Sequence, residues 1–247
     1  MDAPLVGLLC LSAFVAEVIG TMAGFGAATI LTPVASWFLP IKTAVAIVAC
    51  FHVMGTASRT MLFRRSIDWP IVVKFGITGV ALSFLGAQAA SSLSPSIIRI
   101  CLGIFLLVYV GVEAARVVAI RLPATAWTLG IGGMASGFIA GLIGTGGAIR
   151  SVCLLAFGLP TQRYLATSAA IACLVDTTRL PVYIWHRQLP ASLWPVIVGL
   201  SVVAFSGAWV GRRAVQRVSG ERVKQIVLVM LVLMGVKLVL DGWQGTG

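Results

Sequence analysis

The sequence predicts an all-α polytopic membrane protein: eight to ten transmembrane segments in two inverted repeats, each repeat carrying a glycine-broken short helix. Three observations carry that expectation. Of 247 residues, 59% are hydrophobic and 10% are charged, and the apolar residues fall in runs of about 20, the length of α-helix that crosses hydrocarbon. Residues 24–79 overlie 144–199 without a gap, with 11 of 56 positions identical. The basic residues cluster in loops whose spacing constrains how the two copies are oriented.

The first half, 1–122, holds apolar segments at about 4–22, 27–39, 43–62, 70–90 and 96–118. The second half, 123–247, repeats them at about 125–143, 147–158, 162–184, 190–211 and 222–241. The two halves form one integrated membrane domain. Met1-Asp2 supplies no basic stretch ahead of the first run, so that run is expected to be a retained helix and not a signal peptide. The second segment of each half is short, and each runs from a glycine cluster to a Leu-Pro step, Leu39-Pro40 and Leu159-Pro160. Proline fits there because it cannot continue a helix interior. Such a segment either crosses as a short span or re-enters as a half-helix.

The charges bear on symmetry. The net charge of +11 would suggest nucleic acid in a soluble chain, but here it is a loop property. Basic loops follow the third segment (Arg59, Arg64, Arg65, Lys74), join the halves (Arg116, Arg121) and follow the ninth segment (Arg212, Arg213, Arg217, Arg222, Lys224). All three lie on one side only if each half crosses an odd number of times. Five crossings per half give inverted halves with both termini outside, and this requires the short segments to cross.

The five cysteines, Cys10, Cys50, Cys101, Cys153 and Cys173, all fall in apolar segments and form no C-x-x-C, so they read as packing residues. The ladder Gly133-x-x-x-Gly137-x-x-x-Gly141 reads as a close helix contact. It is also the basis for expecting a homodimer.

Glycine breaks at matching places in two repeats of a membrane protein point to a transporter binding site. Gly24-Phe25-Gly26 and Gly144-Thr145-Gly146-Gly147 each precede a short helix. A helix N-terminus presents unpaired N–H groups and the positive end of the dipole, which favours an anion. Inverted halves would aim the two N-termini at each other, with the Thr29 and Thr145 hydroxyls beside them. Charges inside apolar runs are costly and therefore functional candidates. Arg150 lies one turn into the second short helix, where the first copy has Ile30. Arg59 and Arg179 are equivalent in the repeat, and Asp176 can pair with Arg179 one turn away. These three read either as substrate contacts or as a structural ion pair with Arg59 at the interface. His52 and Glu17 lie deeper, where a proton-coupled mechanism would want a titratable group. Glu113 and Lys237 sit near helix ends.

Catalytic motifs are absent: there is no nucleophile elbow, H-E-x-x-H, Walker A or clustered metal ligand, and no aromatic-rich basic arm for nucleic acid. The chain is expected to be no enzyme and to need no cofactor and no metal. Its expected partners are a small anionic substrate and the lipid bilayer.

Two halves that each open with an apolar helix, a glycine-rich break and a short apolar stretch ending near proline resemble the TauE/SafE permeases, the sulfite exporter family. The family motif is similar to G-x-G-G-G followed by apolar residues and proline. Gly144-Thr145-Gly146-Gly147-Ala148 matches it except at the last position. Gly24-Phe25-Gly26-Ala27-Ala28, leading to Pro33, keeps two glycines. The resemblance covers essentially the whole chain. It implies a bacterial inner-membrane permease that exports sulfite, an organosulfonate or a related small anion. It assigns no role to Arg150, which rests on charge and position alone. Competing expectations are a permease for another organic anion or a neutral sulfur compound, a channel, and a membrane scaffold without transport.

Overall fold

The computed structural model describes residues 3–23, 26–115, 122–214 and 221–245. Among them are ten α-helices and no strand. In chain order they are α1 (Ala3–Ala23), α2 (Ala28–Ala35), α3 (Ile41–Leu62), α4 (Trp69–Ser92), α5 (Pro95–Ala114), α6 (Ala126–Ile143), α7 (Gly147–Leu155), α8 (Thr161–Trp185), α9 (Trp194–Ala214) and α10 (Glu221–Trp243). Short 3-10 turns occupy Arg64–Ser66 and Ala191–Leu193.

Local sequence sets the ends. Asp68 caps α4 by accepting from the Ile71 amide, with Pro70 in the first turn, where a missing N–H costs nothing. Ser94 caps α5 ahead of Pro95 in the same way, and Thr125 caps α6. Gly144 ends α6 with φ of 85°, a left-handed conformation that glycine adopts without a Cβ clash. Helix starts keep the repeat spacing: α3 opens at Ile41 and α8 at Thr161.

Among the described residues, six helices are long and apolar enough to cross a membrane: Pro4–Met22, Ile41–Leu62, Trp69–Ser92, Pro95–Ala114, Ala126–Ile143 and Ala191–Ala214. The 25-residue α8 is equally long but carries Asp176 and Arg179 inside it. Apolar side chains such as Leu11, Ile77, Val202 and Leu233 face outward, while Glu17, His52, Asp176 and Arg179 are buried. That is the arrangement expected of a chain whose outer solvent is lipid and whose intramembrane charges face the bundle interior.

The helices pack in reciprocal pairs. The first helix of each half lies on the fourth helix of the other, α1 on α9 and α6 on α4. The third helices meet each other, α3 on α8, and so do the fifth, α5 on α10. Directions follow from the contacts. Glu17 lies beside Gly207 and Thr21 beside Gly211, so α1 and α9 run parallel. Gly79 lies beside Gly137 and Ser83 beside Gly141, so α4 and α6 also run parallel. His52 meets Asp176, while Asp68 at the far end of α3 meets Arg163 and Thr167 at the start of α8, so α3 and α8 run antiparallel. At its other end α8 meets the end of α4, through His186 to Gln88 and Gln188 to Ser91.

The short helices are 8 and 9 residues, about 12–14 Å, and neither crosses. Each folds back along the helix before it. Gly20 lies against the Ala27 backbone, and Ser136 donates to the Gly146 carbonyl at 2.8 Å. This corrects the expectation of crossing short segments: a helix half the hydrocarbon thickness cannot span it.

The glycine ladder of α6 is a packing seam. A Cβ on Gly133, Gly137 or Gly141 would collide with the backbone of α4 at Phe75, Gly79 and Ser83. Because α4 occupies that face, the ladder is not available to a second copy, and the homodimer expectation loses its basis. The five cysteines are free.

Candidate functional site

A buried polar cluster lies where α3 and α8 cross, at the turn between α1 and α2 and the start of α7. Its centre is Gly26. The Gly26 φ of +94° lies in the left-handed region that favours glycine. A Cβ built there would sit 2.8 Å from His52 Nε2 and 3.8 Å from an Arg150 Nη atom. The backbone can therefore approach His52 this closely only because residue 26 has no side chain, while Arg150 lies at ordinary contact distance.

His52 is held from the other half of the chain. Its Nδ1 lies 2.5 Å from Asp176 Oδ2. The second Asp176 oxygen accepts from Arg179 Nη2 at 2.7 Å, and Arg179 Nη1 donates to the Ala140 carbonyl at 2.6 Å. Tyr183, one turn further along α8, donates to the Gly141 carbonyl. Arg179, Asp176 and His52 thus form a chain anchored on the backbone of α6 and ending at His52 Nε2. That nitrogen is buried and has no hydrogen-bond partner. A buried polar atom without a partner is expensive, and this one faces the Gly26 turn.

Arg150 supplies the cation. It is 4% exposed, and its Nε donates to Ser168 Oγ on α8 at 3.0 Å. The two short helices meet beside it. Thr29, in the first turn of α2, and Thr145, two residues before α7, bring their hydroxyl oxygens to 2.6 Å. The leading N–H groups of each short helix have no intrahelical partner, and both ends carry positive dipole. Gly146 is the N-cap of α7 and Gly147 its first residue, while Gly144 closes α6 against Thr32 and Val45.

Of the sequence-predicted residues, Gly26, Thr29, Thr145, Gly146, Gly147, Arg150, His52, Asp176 and Arg179 are brought together. Gly24 and Phe25 lie outside the described residues. Arg59 and Glu17 stand beside the cluster and face each other, with Arg59 Nε 3.4 Å from Glu17 Oε1. Arg59 is buried and so is not interfacial. Gly55 and Gly207 make room for Glu17, since a Cβ on Gly55 would sit 2.7 Å from its carboxylate. Arg59 and Arg179 lie within electrostatic range of both His52 and Arg150.

Sequence reasoning missed Ser168, Ser136 and the bond from His52 to Asp176. The small polar residues carry no pattern, and 124 positions separate the bonded pair. An open cleft of about 390 Å³, bordered by Trp37, Lys42 and Arg99, lies elsewhere. It sits at the start of α3, some 15 Å along that helix from His52.

Comparison with curated proteins and with solved structures finds no match. The family model for the sulfite exporter TauE/SafE matches residues 9–238. With its paired short helices and a match over nearly its whole length, the chain belongs to the sulfite exporter TauE/SafE family.

Proposed function

We propose that the chain is a secondary permease that exports a small sulfur-containing oxyanion of the sulfite or organosulfonate class. Membership of a permease family and six helices long and apolar enough to cross make it a multi-pass membrane transporter, typically of the bacterial inner membrane, and not an enzyme. The observation that carries the oxyanion reading is the convergence at Gly26. The starts of two short helices, the Arg150 guanidinium and an unpartnered His52 nitrogen all face one buried place. Fixed N–H dipoles and a guanidinium in a water-poor interior are a good match for the several acceptor oxygens of a tetrahedral or pyramidal anion.

The helix directions support two inverted repeats. Helices 120 positions apart run oppositely: α3 against α8, and α4, parallel to α8, against α9. Each half enters by its first helix, returns by its short helix and crosses three more times. That odd count supports a topology with Arg64 and Arg65 on the same side as Arg212 and Arg213 and both termini opposite. The anion then sits at the repeat interface, and rocking of the two halves would expose it to either side in turn.

The test is thermal unfolding of the detergent-solubilised protein with sulfite, sulfate, thiosulfate, sulfoacetate, taurine and acetate. A ligand that binds only the folded state raises the midpoint by mass action. Stabilisation by a sulfur oxyanion, lost in a folded Arg150→Ala, is the expected result. Stabilisation that survives in Arg150→Ala removes the guanidinium from the site. No response to any of the six defeats the oxyanion reading.

A further inference from the structure

We propose that His52 Nε2 is the proton-exchange group of the anion site, so that one proton is taken up from water with each anion bound. This rests on the oxyanion reading above and adds the protonation state of the site. The 2.5 Å contact of His52 Nδ1 with Asp176 Oδ2 has one good description: Nδ1 carries the hydrogen and the carboxylate accepts it. Neutral His52 then presents a lone pair at Nε2, buried and without a partner at the Gly26 turn. A lone pair repels an oxyanion. The same nitrogen with a proton added donates to one.

The surrounding charges couple the two events. From α8, His52 faces Asp176 and Arg179; from its own helix, Arg59, which pairs with Glu17 of α1; from α7, Arg150 reaches the same Gly26 turn. α2 brings only threonine hydroxyls. The arginines of α9 lie in its last turn, and Arg99 of α5 lies at the distant cleft. Among the described residues, three guanidinium groups therefore stand against two carboxylates, Asp176 and the Arg59-paired Glu17, a net charge of +1 with both ionised. Protonating His52 in the empty site raises this to +2 inside a medium that screens poorly. A bound monoanion brings the net charge to zero, and protonating His52 then restores only +1. A bound dianion with one proton reaches zero. Anion binding thus favours proton binding, and by reciprocity the proton favours the anion. The balance is simple: the Nε2 lone pair forms an N–H bond with a proton from the open side. The N–H donates to an anion oxygen, and the proton leaves with the anion on the far side.

The experiment counts protons. Sulfite is titrated into the detergent-solubilised protein in buffers of different ionisation enthalpy, and the count is corrected for sulfite's own protonation. Wild type is expected to take up one proton per anion and His52→Gln none, with sulfite binding weakened in the variant and the residual binding carried by Arg150. The wild-type count in His52→Gln overturns the proposal, as does a count of zero in wild type with binding intact. Should His52→Gln lose binding, Asp176→Asn decides. Without the carboxylate behind Nδ1 its count must fall below wild type, and an unchanged count overturns the proposal. Absence of any heat from wild type in every buffer, with sulfite and then with each of the other five anions, defeats the oxyanion reading itself, and the proton proposal with it.

Discussion

Removing the Asp176 carboxylate should be among the most damaging single changes in this chain. The side chain is 3% exposed and joins two buried groups, His52 at 2.5 Å and Arg179 at 2.7 Å. In Asp176→Ala the Arg179 guanidinium, itself 1% exposed, keeps its bond to the Ala140 carbonyl and its contact with the Tyr183 hydroxyl but loses its carboxylate contact. Its Nε already lacks a partner. His52 Nδ1 loses its acceptor at the same time. Breaking a buried pair by deleting one member costs about 3–5 kcal/mol, because it strands the other charge. For a chain of this size that is a fall of about 6–20 °C in the thermal midpoint, at roughly 2–4 °C per kcal/mol. The assay is thermal unfolding in detergent without ligand. The double variant Asp176→Ala with Arg179→Met removes both charges and fills the volume, so it should recover at least half of the loss. A midpoint for Asp176→Ala within about 2 °C of wild type, a shift corresponding to no more than roughly 1 kcal/mol, would show that water reaches Arg179. The dry-cluster argument would then fail.

Two further outcomes test the frame. Gly137→Ala places a Cβ against the backbone of Gly79, where no side chain can move aside. It should cost about 1–3 kcal/mol through overpacking. Gly130→Ala, with nothing within 4 Å of its Cβ, should be neutral or stabilising by up to about 1 kcal/mol through helix propensity. Equal midpoints for the two variants would refute the close α4–α6 contact. For topology, single cysteines replacing the exposed Arg65 and Arg187 in a background without the five native cysteines should label from opposite sides of the membrane. Arg65 follows α3 and Arg187 follows α8, so labelling of both from one side would refute the inversion.

The frame was legible in the sequence because it is built from repetition and from residues with a single strong meaning. A glycine pair, a Leu-Pro step and an apolar run recur at an offset of 120. The helices open and close at those marks, including the short ones, whose length ruled out a crossing only once the chain was seen to fold back. The site was legible only in part, because its chemistry breaks the repeat. Arg150 stands where the first copy has Ile30, and Glu17 where the second has Gly137. His52 corresponds to Ala172 and Asp176 to Thr56. A charge inside an apolar run announces itself by its cost. Its partner does not, when that partner lies on a helix from the other half.

The broken symmetry also has a consequence for stoichiometry. The contact of His52 with Asp176 joins the third helices of the two halves. Its counterpart at an offset of 120 is position 172 facing position 56. Two identical halves would place an ion pair at both positions and build two equivalent polar sites. Here the second position holds Ala172 and Thr56, and the Thr56 hydroxyl turns back to the carbonyl of His52 at 2.7 Å. Across the interface that threonine meets the Cys173 thiol of α8, a contact that carries no charge. The fold thus offers two related places for a buried pair and the chain charges only one. The same holds for the short helices, where one carries Arg150 and the other Ile30. Under the proposed function, one pair, one guanidinium and one unpartnered imidazole nitrogen give a single anion site per chain, on the contact between halves that transport would have to open.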